Sequence, residues 1–369
     1  MSISSRRSAL ALSAAAAMVV LAACGGSSSD ESGLTAGDLG GAPEAGVVKD
    51  GVLKGQSVQF VGYGGDIQKL QVGILTPWAT KSGAKITQDS PTDYAKLKAQ
   101  VTAGKGTWDV VDVEDSWAAA NCGTLLRKLD DKIIDRSQLP EDNKGTDCAV
   151  PIVGTGNIFA YNADKLKTAP QTWADFFDTK TFPGKRGVYA GNPVAIFEAA
   201  LMADGVAASD LYPLDVDRAL KKLDTIKSSL VFWTTGAQAQ QMVESGQADM
   251  GIFWSGRVLN GVKAGANWKA VHDRPLLQYD VLVVPKSAPN PVAAMSLINF
   301  ALGEEASTKT TEGSGYPGTN VNSKPKVDKV TGEFQANVAP FKDPVTIDSE
   351  FWGKNVADYI DKWTTWING

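Results

Sequence analysis

Asp280 asks the most of chemistry. It sits inside the apolar run Gln278–Pro285 (QYDVLVVP), and a carboxylate buried without a partner is expensive, so it is hard to account for as core. Glu114 and Asp115 form an acidic pair, directly after Trp108–Val113 (WDVVDV). Adjacent carboxylates can do acid–base work, although a charged pair after a strand more often marks a helix start. The loop Gly62-Tyr63-Gly64-Gly65 follows a strand-like run and precedes a helical one. It could turn backbone N–H groups toward a ligand or be no more than a tight turn.

Other chemistries lack their residues. There is no G-x-S-x-G elbow, no G-x-x-x-x-G-K-[ST] phosphate loop and no G-x-G-x-x-G. One histidine, His272, is a poor basis for a metal site, and no cofactor is expected. Net charge is −5 and pI is near 5.1, against a nucleic-acid partner. Three cysteines exclude a disulfide-dense scaffold. Ten tryptophans and eight tyrosines are a surplus that needs a use.

The elements that would hold these residues alternate. Strands are expected at Gln56–Gly62, Ala84–Gln88, Trp108–Val113, Ala248–Phe253 and Gln278–Pro285. Helices are expected at Asp66–Ser82, Pro91–Ala103, Trp173–Phe177, Ile196–Gly205, Val216–Ser228, Gly236–Ser245, Pro291–Leu302 and Phe351–Ile367. A further helix begins at Ser116, and Asn192-Pro193 suits an N-cap and first helical position. Alternation predicts α/β layers with mostly parallel sheets. The 369 residues allow two domains, and no loose linker divides the body. Two lobes would therefore be joined by extended crossings, Val150–Tyr161 and Gln278–Val284.

The N-terminus reads as an address. Arg6 and Arg7 precede a small, apolar run over residues 9–23, too short to span a bilayer, which needs about 20 residues. This is the pattern of a secretory signal. Leu21-Ala22-Ala23-Cys24-Gly25 resembles a bacterial lipobox, which implies a lipid on Cys24 and a membrane-tethered, exported protein. Residues 25–47, rich in Gly, Ser and Ala, read as a flexible tether. Without residues 1–23 the chain keeps 34 basic and 41 acidic side chains, a formal −7. Export into an oxidising compartment leaves Cys122 and Cys148 as the one intrachain pair, expected as a structural disulfide; the alternative is two buried thiols.

Several stretches together carry a resemblance: Val61–Asp66 (VGYGGD), Gly106–Val113 (GTWDVVDV), Val150–Asn162, Trp173–Gly187, Phe232–Arg257 (FWTTGAQAQQMVESGQADMGIFWSGR), Tyr279–Pro285 and Gly315–Asn320 (GYPGTN). In this order they resemble the solute-binding proteins of ABC importers, polyamine (spermidine/putrescine) type, with the type II periplasmic-binding fold. The resemblance implies a two-lobed α/β fold, with lobe one at 51–152 and 281–345, lobe two at 153–280, and a C-terminal helix at 346–369. It implies a monomer that traps a small organic cation by hinge closure and hands it to a permease and ATPase. The matching site positions are Tyr63, Gly64, Asp66, Ser116, Trp117, Asn192, Trp254, Gln278 and Asp280. Trp254 could instead fill core, and Trp117 could be a helix-packing residue. The polyamine pattern carries an acid near Gly191-Asn192 and an aromatic at Gln278, so one carboxylate and one aromatic wall are missing. An anion held at helix N-termini is the alternative cargo.

Overall fold

The computed structural model describes residues 33–141 and 143–369. The signal-like segment, Cys24 and the start of the tether lie outside the described residues. In chain order the elements are β1 (Ser57–Val61), α1 (Gly65–Ser82), β2 (Lys85–Asp89), α2 (Tyr94–Thr102), β3 (Val110–Glu114), α3 (Asp115–Asn121) and β4 (Ala149–Asn162). Next come α4 (Trp173–Phe177), β5 (Arg186–Tyr189), α5 (Ile196–Ala203), α6 (Val216–Asp224), β6 (Leu230–Trp233), α7 (Gly236–Ser245), β7 (Met250–Trp254) and α8 (Ser255–Lys263). The chain closes with β8 (Trp268–Ala270), β9 (Leu276–Val283), α9 (Pro291–Ala301), α10 (Glu304–Ser314), α11 (Lys329–Gly332), β10 (Val345–Thr346) and α12 (Ser349–Asn368).

One curled sheet runs through both lobes in the order β2-β1-β3-β9-β4-β7-β5-β6, with β10 beside β9 and β8 beside β4. Pairing is parallel within each lobe, β2-β1-β3 on one side and β7-β5-β6 on the other. The expected mostly parallel sheet holds there and fails in the middle. β3–β9, β9–β4 and β4–β7 are antiparallel, because the two long apolar runs that cross between the lobes do so in opposite directions. Two apolar clusters, around Phe60, Trp78 and Val292 and around Trp108, Val111 and Cys148, fill the first lobe; two more, around Trp173 and Phe197 and around Phe253 and Leu259, fill the second.

Local signals explain most boundaries. α6 buries Val216, Ala219 and Leu223 along one stripe, and Asp215 caps it by accepting from Arg218 N. β5 escapes the sequence pattern because its first residue is charged. Arg186 is fully buried, and its guanidinium donates to the carbonyls of Phe176, Asp178, Phe182 and Gly184, so an arginine stands where a strand normally shows an aliphatic residue.

Two expectations need correction. The tether ends earlier than residue 47: Ala45 and Val48 are buried in the first-lobe core, Gly46 N donates to Asn299 O, and Asn299 Nδ2 donates to Glu44 O at 2.8 Å. Its few apolar residues lack a period, yet they suffice to dock an irregular segment. Asn192 is not a helix N-cap either. That position is Ala195, at φ 67°, while the Asn192 side chain accepts from Val194 N in a local turn.

The terminal helix α12 touches both lobes. Trp352 and Trp363 are fully buried in the second-lobe core; Trp352 Nε1 donates to Glu198 at 2.6 Å, and Trp363 Nε1 donates to Ala190 O at 3.0 Å. Its other side lies on α3. A Cβ at Gly353 would stand 2.9 Å from Ser116 O and 3.0 Å from Ala120 N, so only glycine permits this approach of two backbones.

Cys122 and Cys148 are bonded, with 26 residues of sequence separation, and tie the end of α3 to the start of β4. Closing a loop of that size stabilises by about 3 kcal/mol in the chain-entropy model. The double variant Cys122→Ala/Cys148→Ala is expected to lower the denaturant midpoint accordingly, with an equal or steeper slope because the freed unfolded chain is more expanded. An unchanged midpoint would remove the bond from the stability account.

Candidate functional site

The strand register gathers the acids. In the antiparallel β3–β9 pair Glu114 stands directly opposite Asp280. Asp112, two residues before Glu114, shares its face of the sheet because side chains alternate along a strand. Asp115 follows as the first residue of α3. Like charges placed opposite one another destabilise a sheet, and among the described residues none of the four carboxylates is ion-paired. Asp112 accepts from Gln71 Nε2 at 2.6 Å, and its Oδ1 has no partner. Asp115 accepts from the backbone N–H groups of Ser116 and Tyr279.

Burial, the main cause, pushes the Asp112 and Asp115 carboxyls up to about 7 and raises Glu114. Asp280 is raised well above the usual carboxylate range, by burial first and then by the charges of Asp112, Glu114 and Asp115. Tyrosines wall the cluster. Tyr63 and Tyr94 meet hydroxyl to hydroxyl at 3.4 Å. Both phenols are raised by burial first; each then feels the other or Glu114, and both feel Asp280. Tyr63 as a whole residue stays 40% exposed.

The second lobe supplies the opposite wall. Tyr189, Asn192, Val194, Ile196, Trp233, Ile252 and Trp254 line a narrow gap together with Asn157 and Gln278 from the crossing strands and Glu114 from the first lobe. The rings of Tyr189, Trp233 and Trp254 pack within 5.6 Å of one another, centroid to centroid. The space left between the walls is about 10 Å³, room for a water at most. Burial raises the Tyr189 phenol, and the Glu114 charge adds to it, so the two lobes are in electrostatic contact across the gap.

Arg257, on α8 just past Trp254, is the cation of this region. Gly236 makes room for it: a Cβ there would fall 2.5 Å from Arg257 Nε. Tyr316 feels both ends of the region. Burial pushes its phenol up to about 12, with Arg257 lowering it and Asp280 raising it.

Unpartnered buried groups near the acid cluster and the gap differ between the lobes, while Gln100 Nε2 on the first lobe and Glu198 Oε2 on the second are unpartnered in the opposite sense. On the first, Asp112 Oδ1 and Gln71 Oε1 are acceptors without a donor; on the second, Trp233 Nε1 and Arg257 Nε are donors without an acceptor, beside the open hydroxyl of Ser255. Each orphan costs roughly 1–3 kcal/mol unless something fills it, so the arrangement fits a guest with a donor end toward the first lobe and an acceptor end toward the second.

Of the residues singled out in the sequence, Tyr63 and Asp280 meet in the acid cluster, and Asn192, Trp254 and Gln278 meet in the gap. Asp66 does not join them; its carboxylate is almost wholly exposed and pairs with Lys69 at 3.0 Å. Gly64 keeps its positive φ of 80°, but its N–H already donates to Gln68 Oε1. Ser116 is buried under α12. Trp117 stacks on Tyr94, 4.4 Å apart, so it packs behind the cluster. Sequence reading passed over Asp112, Tyr94, Tyr189, Trp233, Arg257 and Tyr316, and set Glu114 aside as a helix start. The Asp112-x-Glu114 alternation was the available signal.

Residues 84–342 match the family model described as bacterial extracellular solute-binding protein. A gamma-aminobutyric acid-binding protein from Pseudomonas aeruginosa is 30% identical over 323 residues, covering 84% of this chain and 91% of that protein. The spermidine/putrescine-binding periplasmic protein 1 of Haemophilus influenzae is 26% identical, with 78% of this chain and 82% of that one covered. Among solved structures the Atu4243-GABA receptor superposes with a TM-score of 0.78 at 37% identity, covering 85% of this chain and 98% of that one.

Proposed function

We propose a cargo for this chain, which belongs to the bacterial extracellular solute-binding protein family: a small amino acid whose ammonium and carboxylate are set apart, as in γ-aminobutyrate. The protein is the solute-binding component of an ABC transporter, and its family is extracellular. The observation that carries the finer reading is the placement of charge, with Glu114 opposite Asp280 across β3–β9 and Arg257 on α8 beyond Tyr316. The ammonium goes to Asp280 and Glu114, beside the aromatic faces of Tyr63 and Trp254, where charge and cation–π contact both favour it. The carboxylate goes to Arg257 and the Trp233 indole N–H. The polyamine reading asks for an anion at each end of the cleft, and here the far end offers Asn192, Gln278 and a guanidinium. The relatives named for γ-aminobutyrate are 30% and 37% identical, and those named for polyamines are 26%, 23% and 17% identical, which favours the amino acid.

A guest with opposite charges at its ends bridges both lobes, so it favours the closed form over the open one, as trapping requires. The first lobe we assign to 44–152 with 281–327, and the second to 153–280 with 328–345, whose Phe334, Ala336 and Phe341 lie in the second-lobe core, the terminal helix bracing both. We further propose a lipid on Cys24, a monomeric body and delivery to a permease driven by an ATPase.

The test is calorimetry and thermal shift against γ-aminobutyrate, putrescine and succinate. The amino acid is expected to bind and, at a hundred times its Kd, to stabilise by about 2.7 kcal/mol, a rise of several degrees in Tm. Putrescine binding more tightly than the amino acid would overturn the zwitterion in favour of the polyamine.

A further inference from the structure

Resting on the amine-binding reading above, we propose that solute capture is an exchange: an ammonium enters the acid cluster and a proton leaves it. The geometry is the crowding of four carboxylates. Glu114 and Asp280 oppose one another across β3–β9, Asp112 shares their face two residues away, and Asp115 continues from Glu114 into α3. On the side away from the gap, Asp115 lines a cavity with Lys144, Asp348 and Glu350; what otherwise faces the cluster is neutral or distant. Tyr63 comes from the β1–α1 loop, Gln71 from α1 and Tyr94 from α2. Tyr189 comes from β5, the Tyr279 backbone from β9 and Tyr316 from the segment after α10. Arg257 on α8 is the cation on the side of Tyr316, and it acts from beyond that ring.

Four charges this close in a buried place do not coexist, so the empty cluster retains protons around neutrality. The raised carboxyls of Asp112, Asp115 and Asp280 agree with this. A single ammonium favours the ionised cluster. The exchange balances simply: one carboxylic O–H bond breaks, its electron pair stays on the carboxylate that meets the ammonium, and the proton goes to solvent. A primary amine, at about 10.4, and an aliphatic carboxyl, near 4, do not titrate between pH 6 and 8, so a proton released in that window comes from the protein.

Titration with γ-aminobutyrate in phosphate and in Tris at pH 7, and affinity measurements at pH 6, 7 and 8, test this. One proton released per solute is expected from the dependence of heat on buffer. The affinity is expected to rise about tenfold per pH unit, one proton's worth of linkage. Asp112→Asn, which leaves Asp280 and Glu114 in place, is expected to flatten that profile. A purely structural role for Asp112 would move Tm and leave the slope intact, and that result would exclude it from the exchange. Binding that ignores both pH and buffer overturns the exchange alone. No binding of γ-aminobutyrate or putrescine at any pH overturns the amine reading with it.

Discussion

Asp280→Asn should cost the protein its amine cargo and make the empty protein more stable. Asparagine keeps the shape and an acceptor but removes the charge that the ammonium needs. Truncating one partner of a buried, hydrogen-bonded charge pair costs about 2–5 kcal/mol, so affinity should fall roughly 30-fold or more. The same substitution relieves the carboxylate that burial and three neighbouring acids raise furthest. The pH dependence has a definite sign. With folded-state carboxyls near 7 for Asp112 and Asp115 and higher for Asp280, against about 4 unfolded, the folded protein binds more protons than the unfolded chain. This cluster's contribution to stability is therefore full below about pH 4 and declines as pH rises from there through 7. The variant should show a higher Tm at pH 8 and a shallower decline. Tight amine binding by a variant whose Tm is unchanged would remove Asp280 from both roles.

Arg257→Gln should exchange one cargo class for another. The guanidinium holds an unpartnered buried Nε in a space cleared by Gly236, and it is the one cation acting on the region of Tyr316 and Asp280. A solute carboxylate that loses this partner meets an amide and an indole N–H instead. On the same magnitude for a truncated buried pair, γ-aminobutyrate should weaken by roughly two orders. Putrescine has no carboxylate to lose and meets one positive charge fewer, so its affinity should hold or improve. Parallel calorimetry with both compounds reads the ratio directly. An equal loss for both would show that Arg257 supports the fold of the cleft and does not read the solute.

Most elements could be read from hydrophobic period and turn residues. The two crossings stood out as long apolar runs, and Asp280 within one of them was conspicuous because a lone carboxylate breaks a strand's pattern. Its partners were harder to see. Glu114 comes to face Asp280 only through the antiparallel register, a pairing between residues far apart in sequence that no local pattern encodes. Arg257, Trp233 and Tyr316 belong to three separate segments and converge only once the lobes face each other. Asp66 misled for the opposite reason: it belongs to the matching glycine-loop stretch, but α1 begins at Gly65 and turns its carboxylate to solvent. The docking of Glu44–Val48 on α9 escaped notice because an irregular segment needs few apolar contacts.

The terminal helix sets the order in which the molecule can assemble. Trp352 reaches Glu198 across 154 residues, and Trp363 reaches Ala190 across 173, so the second-lobe core stays open along Phe197 until α12 has been made. Contacts this distant carry a large loop-closure cost and slow folding. During synthesis the second lobe cannot complete its core before this last helix has emerged. A chain halted before Ser349 still contains every residue of the acid cluster, yet lacks the helix that fastens α3 and α5 behind it.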